Sequence, residues 1–188
     1  MRLARVLQRW RPIAAQHSSD SSEATDKLPL LVQNLSKQYK GGVWANRDIS
    51  LMGDSGEILG IVGPNGAGKT TLVRQITTEL LPTSGCVTVL GHDVMREPTQ
   101  VKSLLGIVPQ EATLFDYLTV HQHFRIFTKL RGINPRESGA KADQLIKDLD
   151  LTEHRNVLVR QLSGGLKRRV LVGIASAARP PVMVLDEP

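Results

Sequence analysis

A chain of 188 residues with 40% hydrophobic content is long enough to bury a substantial core, and its composition is that of one modest α/β domain. A formal charge of +6 invites a nucleic-acid reading. However, Arg2, Arg5, Arg9 and Arg11 lie in an acid-free stretch before Asp20, so the remainder is near neutral and carries no arginine stripe interleaved with aromatics. The single cysteine, Cys86, excludes an internal disulfide, and no run reaches the roughly 18 apolar residues that a membrane-crossing helix needs.

Residues 1–27 stand apart. Leu3, Val6, Leu7, Trp10, Ile13 and Ala14 share one helical arc beside Arg2, Arg5 and Arg9, before Ser18, Ser19, Ser21 and Ser22 break the pattern. Three readings stay open for this segment: an organelle transit peptide, a helix lying on an anionic membrane surface, or an untidy terminus outside the fold.

From Leu28 the pattern becomes regular, and residues 28–188 are expected to form the folded domain. Leu30–Leu35 and Arg47–Leu51 read as strands around a turn at Gly41-Gly42, and Gly53 to Gly56 as the next hairpin turn. The apolar run Ile58–Val62 predicts a buried parallel strand. Lys69 to Leu81, with Leu72, Val73, Ile76 and Leu80 at helical spacing, predicts a helix stopped by Pro82. Gly85 to Gly91 and Ile107-Val108 read as further strands. Residues 116–160 are charged and largely helical, with Phe124, Phe127 and Leu130 on one face and Leu145, Ile146, Leu149 and Leu151 on another. Val182–Leu185 is the last predicted strand, and there is no internal repeat.

Between the strand at 58–62 and the helix from Lys69 lies Gly63-Pro64-Asn65-Gly66-Ala67-Gly68-Lys69-Thr70, followed by Thr71. Glycines at these places let the backbone turn its N–H groups towards a polyanion without Cβ clashes, and the following helix N-terminus adds partial positive charge. Lys69 is placed to reach β- and γ-phosphate oxygens, and the Thr70 hydroxyl to ligate Mg²⁺. Asp186 and Glu187 follow the last strand, where ligands of open α/β sheets sit. Asp186 is suited to hold Mg²⁺ and Glu187 to accept a proton from an attacking water. A further phosphate surface is suggested by Leu162-Ser163-Gly164-Gly165 before an apparent helix, with Ser163 as N-cap and two glycines exposing N–H groups. None of the five histidines has a spacing that argues for metal, and all five are expected as solvated surface residues. No Asn-Lys-x-Asp guanine reader occurs, which disfavours a switch GTPase.

Taken together, the loop at 63–70, the Leu162–Gly165 signature with its last glycine 21 residues before Asp186, and the strand ending in Asp186-Glu187-Pro188 resemble the nucleotide-binding domain of ATP-binding cassette (ABC) transporters. The resemblance covers residues 29–188. It implies an α/β P-loop NTPase fold, with a RecA-like parallel-sheet core, an antiparallel β subdomain and an inserted helical subdomain at about 111–168. By the same resemblance Tyr39, 24 residues before Gly63, stacks on adenine, and Gln110 contacts Mg²⁺ and water. It further implies that two domains pair head to tail, so that Leu162–Gly165 of one meets ATP held by the other. Closure then lets Glu187 activate water and drives an attached transmembrane permease, with the chain peripheral at the cytoplasmic face of a membrane. Leu114–Val120, Lys129–Ile133 and Lys167-Arg168-Arg169 look most like drug- and lipid-exporting members.

The chain departs from the family pattern by stopping at Pro188. The following loop, its aspartate, the histidine that contacts the γ-phosphate and the last elements of the core are absent. A truncated chain that binds ATP but hydrolyses it poorly is therefore expected. Alternative functions are a non-catalytic remnant and a soluble, non-transport ABC ATPase, although the chain has one cassette and no coiled-coil heptads.

Overall fold

The computed structural model describes residues 28–186. The basic N-terminal segment, and Glu187 with Pro188, lie outside the described residues. The chain divides into two compact units, separated in sequence between Leu105 and Gly106.

The first unit carries a four-stranded antiparallel sheet of order β2-β1-β3-β4, from strands β1 (Leu30–Gln38), β2 (Trp44–Gly53), β3 (Ser84–Val89) and β4 (His92–Asp93). The expected turn joins β1 and β2, with Gly41 and Gly42 both at positive φ and Tyr39 N–H donating to the Val43 carbonyl. Register shifts between Val32 and Leu35 bring both residues into the interior three positions apart, where strict alternation would expose one of them. Asn34 and Asp48 take up left-handed conformations there, tied by Asn34 Nδ2 donating to Asp48 Oδ1 at 2.8 Å. Helix α1 (Lys69–Ile76) lies against β2 and β3 and buries Leu72 and Ile76, and α2 (Pro98–Leu104) lies against β4 and buries Val101.

Two expectations for this unit fail. The run Ile58–Val62 forms no strand: Ile58 is 77% and Val62 96% exposed, although the turn before it does form, with Glu57 N–H donating to the Asp54 carbonyl. A strand exists through its ladder partner, and none of the described strands pairs with this run. Helix α1 also ends at Ile76 rather than near Pro82. The Arg74 carbonyl accepts from both Glu79 and Leu80 N–H groups, and Thr78 turns left-handed, which closes the helix end early.

The second unit contains β5 (Leu105–Val108, from the boundary), α3 (Val120–Leu130), α4 (Ser138–Asp148), α5 (Gly164–Ser176) and β6 (Val182–Leu185), with β5 paired to β6. A full capping box starts α3: Thr119 Oγ1 accepts from the Gln122 N–H and the Gln122 side chain accepts from the Thr119 N–H. The apolar cluster of this unit draws Phe124 from α3, Leu145, Ile146 and Leu149 from around α4, and Leu162 and Val170 from the α5 region. Gly173 sits where α5 approaches closest; a Cβ there would meet Leu149 at 2.5 Å and Phe124 at 2.5 Å. Leu130, expected on the inner face of α3, is the last residue of the helix and is exposed. A smaller cluster of Val108, Val172 and Ala175 with Met183 and Leu185 joins α5 to the two strands.

Candidate functional site

In the first unit the glycine-rich loop opens α1 directly. Gly63, Pro64, Asn65, Gly66 and Ala67 are all exposed, and Ala67 N–H donates to the Pro64 carbonyl at 3.2 Å, which folds the loop into a turn. Gly66 and Gly68 hold φ of 80° and 90°, the left-handed region that only glycine enters freely. Gly68 is the N-cap without a side-chain cap bond, so the first N–H groups of α1 remain available to an anion. Lys69 folds back over the loop, its Nζ donating to the carbonyls of Gly63 (2.8 Å) and Pro64 (2.9 Å). Thr70 and Thr71 follow in the first turn, half-buried. No acidic residue lies in that turn to repel a phosphate.

Tyr39 lies just past β1, 43% exposed, with the Lys37 ammonium 5.7 Å from its ring centroid. The ring is part-exposed and already carries a cation against its π-surface.

In the second unit Asp186 follows β6 and is buried at 8% exposure. Its N–H donates to the Val108 carbonyl at 2.9 Å and its own carbonyl accepts from Arg168 Nη2 at 3.0 Å, so its backbone is fixed on both sides. Gln110, exposed, comes two residues after Val108; the β5–β6 pairing thus brings Asp186 and the segment carrying Gln110 to the same end of the two strands. Glu187 lies outside the described residues.

The Leu162–Gly165 stretch starts α5 as expected. Leu162 is buried in the apolar cluster, Ser163 Oγ accepts from Leu166 N–H at 3.4 Å, and Gly164 and Gly165 are exposed with nothing near a notional Cβ. The result is an open helix N-terminus on a packed base, thirteen residues long and free of acid in its first turn. Between β5, α3 and α5 an apolar cavity of about 360 Å³ is lined by Val108, Leu114, Phe127, Leu130, Leu171 and Ile174. Its lining is mostly apolar, with Thr113 and Arg131 as the polar members.

The expectation of five surface histidines is wrong for His123, which is fully buried on α3. Its Nε2 accepts from Phe115 N–H at 2.9 Å and its Nδ1–H donates to the Thr119 carbonyl at 3.1 Å; both ring nitrogens are satisfied in the neutral form. Burial holds its pKa below the ordinary 6.5, with the Thr119 carbonyl offsetting part of that. Among the described residues no group of His, Cys, Asp and Glu is arranged to hold a metal by itself. Sequence reasoning also missed Asn46 and Gln75, a buried polar pair beside the loop. The available signal was a glutamine on the apolar arc of α1, next to Ile76 and three residues after Leu72.

Comparison with known proteins bears on the family and the fold. The family model described as ABC transporter matches residues 46–188. The chain is 38% identical over 169 residues to ATP-binding cassette sub-family A member 2 of Rattus norvegicus, covering 88% of this chain and 7% of that protein. It is 38% identical over 159 residues to the daunorubicin resistance ATP-binding protein DrrA3 of Streptomyces coeruleorubidus, covering 85% of this chain and 50% of that one. A solved dimeric ATP-binding cassette in a post-hydrolysis state, bound to ADP and Pi, superposes with a TM-score of 0.74 at 27% identity, covering 85% of this chain and 74% of the other. The chain thus spans half the length of one of these relatives and a small part of the other.

Proposed function

The chain belongs to the ABC transporter family and has the α/β P-loop fold of its ATP-binding domains, and from that premise we propose that it binds MgATP and powers transport through a transmembrane permease. The observation that carries this reading is the loop Gly63–Thr70, exposed from Gly63 to Ala67, with left-handed Gly66 and Gly68 and a lysine folded over it, opening α1. The proposed domain is residues 28–188, with a helical subdomain at about 111–168.

Each of the described residues has a task its surroundings suit, and Glu187 takes its task from the sequence pattern alone. The N–H groups from Gly66 to Thr71 surround the phosphates, and Lys69 exchanges two carbonyl partners for β- and γ-phosphate oxygens. Tyr39 lends its ring face to the adenine. Thr70, Gln110 and Asp186 offer the hard oxygen donors that Mg²⁺ takes, and the bound ion would neutralise charge building up between the β- and γ-phosphates. Glu187 takes the proton of the attacking water. Leu162 to Gly165 present their helix start to ATP held by a second domain, so the working unit is a head-to-tail pair. That the solved relative is dimeric supports this pairing. The name of DrrA3, together with Leu114–Val120, supports an exporter of drug- or lipid-like molecules. No described helix is long and apolar enough to cross a membrane, and the proposed place of the chain is peripheral, at the cytoplasmic face beside its permease.

Binding of a fluorescent ATP analogue and phosphate release, measured on the wild type and on Glu187→Gln, test the reading. The variant is expected to keep nucleotide binding while phosphate release, assayed with the permease present, falls at least about 100-fold. A wild-type chain that takes up no nucleotide would sink the proposal, and full turnover by Glu187→Gln would remove Glu187 from the role of base.

A further inference from the structure

Asn46 on β2 and Gln75 on α1 are buried, at 6% and 0% exposure, in a layer otherwise filled by Leu72 and Ile76. Two primary amides in such a place need complementary partners. One arm of the Asn46 amide lies 2.7 Å from the Ala45 carbonyl oxygen and 3.1 Å from that of Gly68. The other lies 3.3 Å from the Leu72 N–H and 2.7 Å from the Gln75 amide. Which arm is nitrogen follows from these neighbours: Nδ2 donates to the two carbonyls and Oδ1 accepts from Leu72 N–H, and the Gln75 amide is then oriented with its Nε2, not its Oε1, donating to Asn46 Oδ1. Gln75 is committed to this contact, since its other amide atom is buried with no partner among the described residues.

These contacts fall on the two ends of one helical turn. Leu72 N–H donates to the Gly68 carbonyl at 2.9 Å, the first bond of α1, and Asn46 joins both groups. Lys69, Thr70 and Thr71 are the residues in between. The fit is close: a Cβ on Gly68 would collide with the Ala45 carbonyl and with the Asn46 amide, so Asn46 packs directly on the left-handed glycine, φ 90°.

We infer that Asn46, held in place by Gln75, is a positioning residue for the phosphate loop, clamping Gly68 and the first turn of α1 so that Lys69 and Thr70 point at the phosphates. It touches no nucleotide, and its effect travels through backbone. A loop with three glycines has many conformations in reach, and a clamp that removes them spares the ligand the ordering cost. The inference rests on the proposed nucleotide reading of residues 63–71.

A double-mutant cycle on the whole chain tests it, read by binding of a fluorescent ATP analogue with Mg²⁺, by urea unfolding, and by the amide NMR signals of Gly68 and Leu72 without nucleotide. At a temperature where the folded fraction is unchanged, Asn46→Ala is expected to weaken binding about 10-fold and to move both amide signals. Gln75→Ala is expected to weaken binding about 3-fold alone and not at all in the Asn46→Ala background, because it acts only through Asn46. Should alanine at 46 unfold the chain, Asn46→Asp keeps the shape while setting an oxygen against two carbonyls, and the same loss is expected. Wild-type affinity in both variants at position 46, or an undiminished Gln75→Ala effect in the double variant, overturns the clamp. A wild-type chain whose binding is absent, or indifferent to Lys69→Ala, fails the nucleotide reading instead. In that case unmoved Gly68 and Leu72 signals in Asn46→Ala overturn the clamp separately.

Discussion

Two regions of this chain offer a helix N-terminus to an anion, and they are built in opposite ways. At α1 the cap is a left-handed glycine with no side-chain bond, the preceding loop is open to solvent, and a lysine ammonium lies over it. At α5 the cap is Ser163, bonded to the Leu166 N–H, and the residue before it, Leu162, is sunk in an apolar cluster. The first takes its shape from backbone freedom and a buried amide and brings its own cation. The second takes its shape from packing and presents a plain N–H surface. Affinity should therefore reside at α1, whereas α5 should matter for fold stability and for the geometry presented to a partner.

Three substitutions separate those roles, starting with the largest effect. Lys69→Ala removes two charge-assisted bonds to phosphate, together worth about 3 kcal/mol, so nucleotide affinity by calorimetry should fall about 100-fold while urea unfolding hardly moves. A loss below about 3-fold would show that the lysine is not the loop's main cation contact. Gly173→Ala acts on packing alone: with Leu149 and Phe124 in the way, it should destabilise the chain by about 1–3 kcal/mol in urea. Unaltered stability would mean that the α3–α4–α5 cluster is looser than its contacts imply. Ser163→Ala should cost about 1 kcal/mol through the lost cap, with Ser163→Asp restoring it, because a carboxylate also accepts from Leu166 N–H. An alanine variant as stable as the wild type would refute the cap.

What the sequence made legible follows from the range of the interactions. The turn of the phosphate loop, the Ser163 cap and the periodicity that buries Leu145, Ile146 and Leu149 are each set within a few residues, and each is found where the pattern puts it. Val182–Leu185 could be read as a strand because four apolar residues precede a carboxylate, and here a partner, β5, is present. Ile58–Val62 is a similarly apolar run, interrupted only by Gly60, but pairing is a property of two segments, and only one was visible locally. The early end of α1 depended on Glu79 and Leu80 turning back to Arg74, which Pro82 did not announce. Asn46 and Gln75 escaped because each reads as a lone polar residue until the fold brings them within 2.7 Å.

His123 shows the same limit and yields the smallest effect. As a sequence letter it is a polar residue on a helix face; in the fold its neutral ring joins α3 to Phe115 and stacks beside Phe127 at 6.3 Å. Protonation would place a second N–H against the Phe115 N–H and break that bond. Its pKa is lowered in the folded state, chiefly by burial, so below the ordinary value of 6.5 the unfolded chain binds the proton more readily. Stability contributed by the neutral ring is therefore present above that value and is lost as pH falls through the window beneath it. His121, also lowered, first by burial and then by the Arg155 charge, works in the same direction. Urea midpoints at about pH 7.5 and about pH 5.5 should differ more in the wild type than in His123→Phe, which keeps the stacking and cannot titrate. His123→Phe should also be less stable at the higher pH, since Phe115 N–H loses its acceptor. Equal pH dependence in both proteins would mean that the His123 ring takes up its proton as readily in the folded chain as in the unfolded one, and is not held neutral by burial.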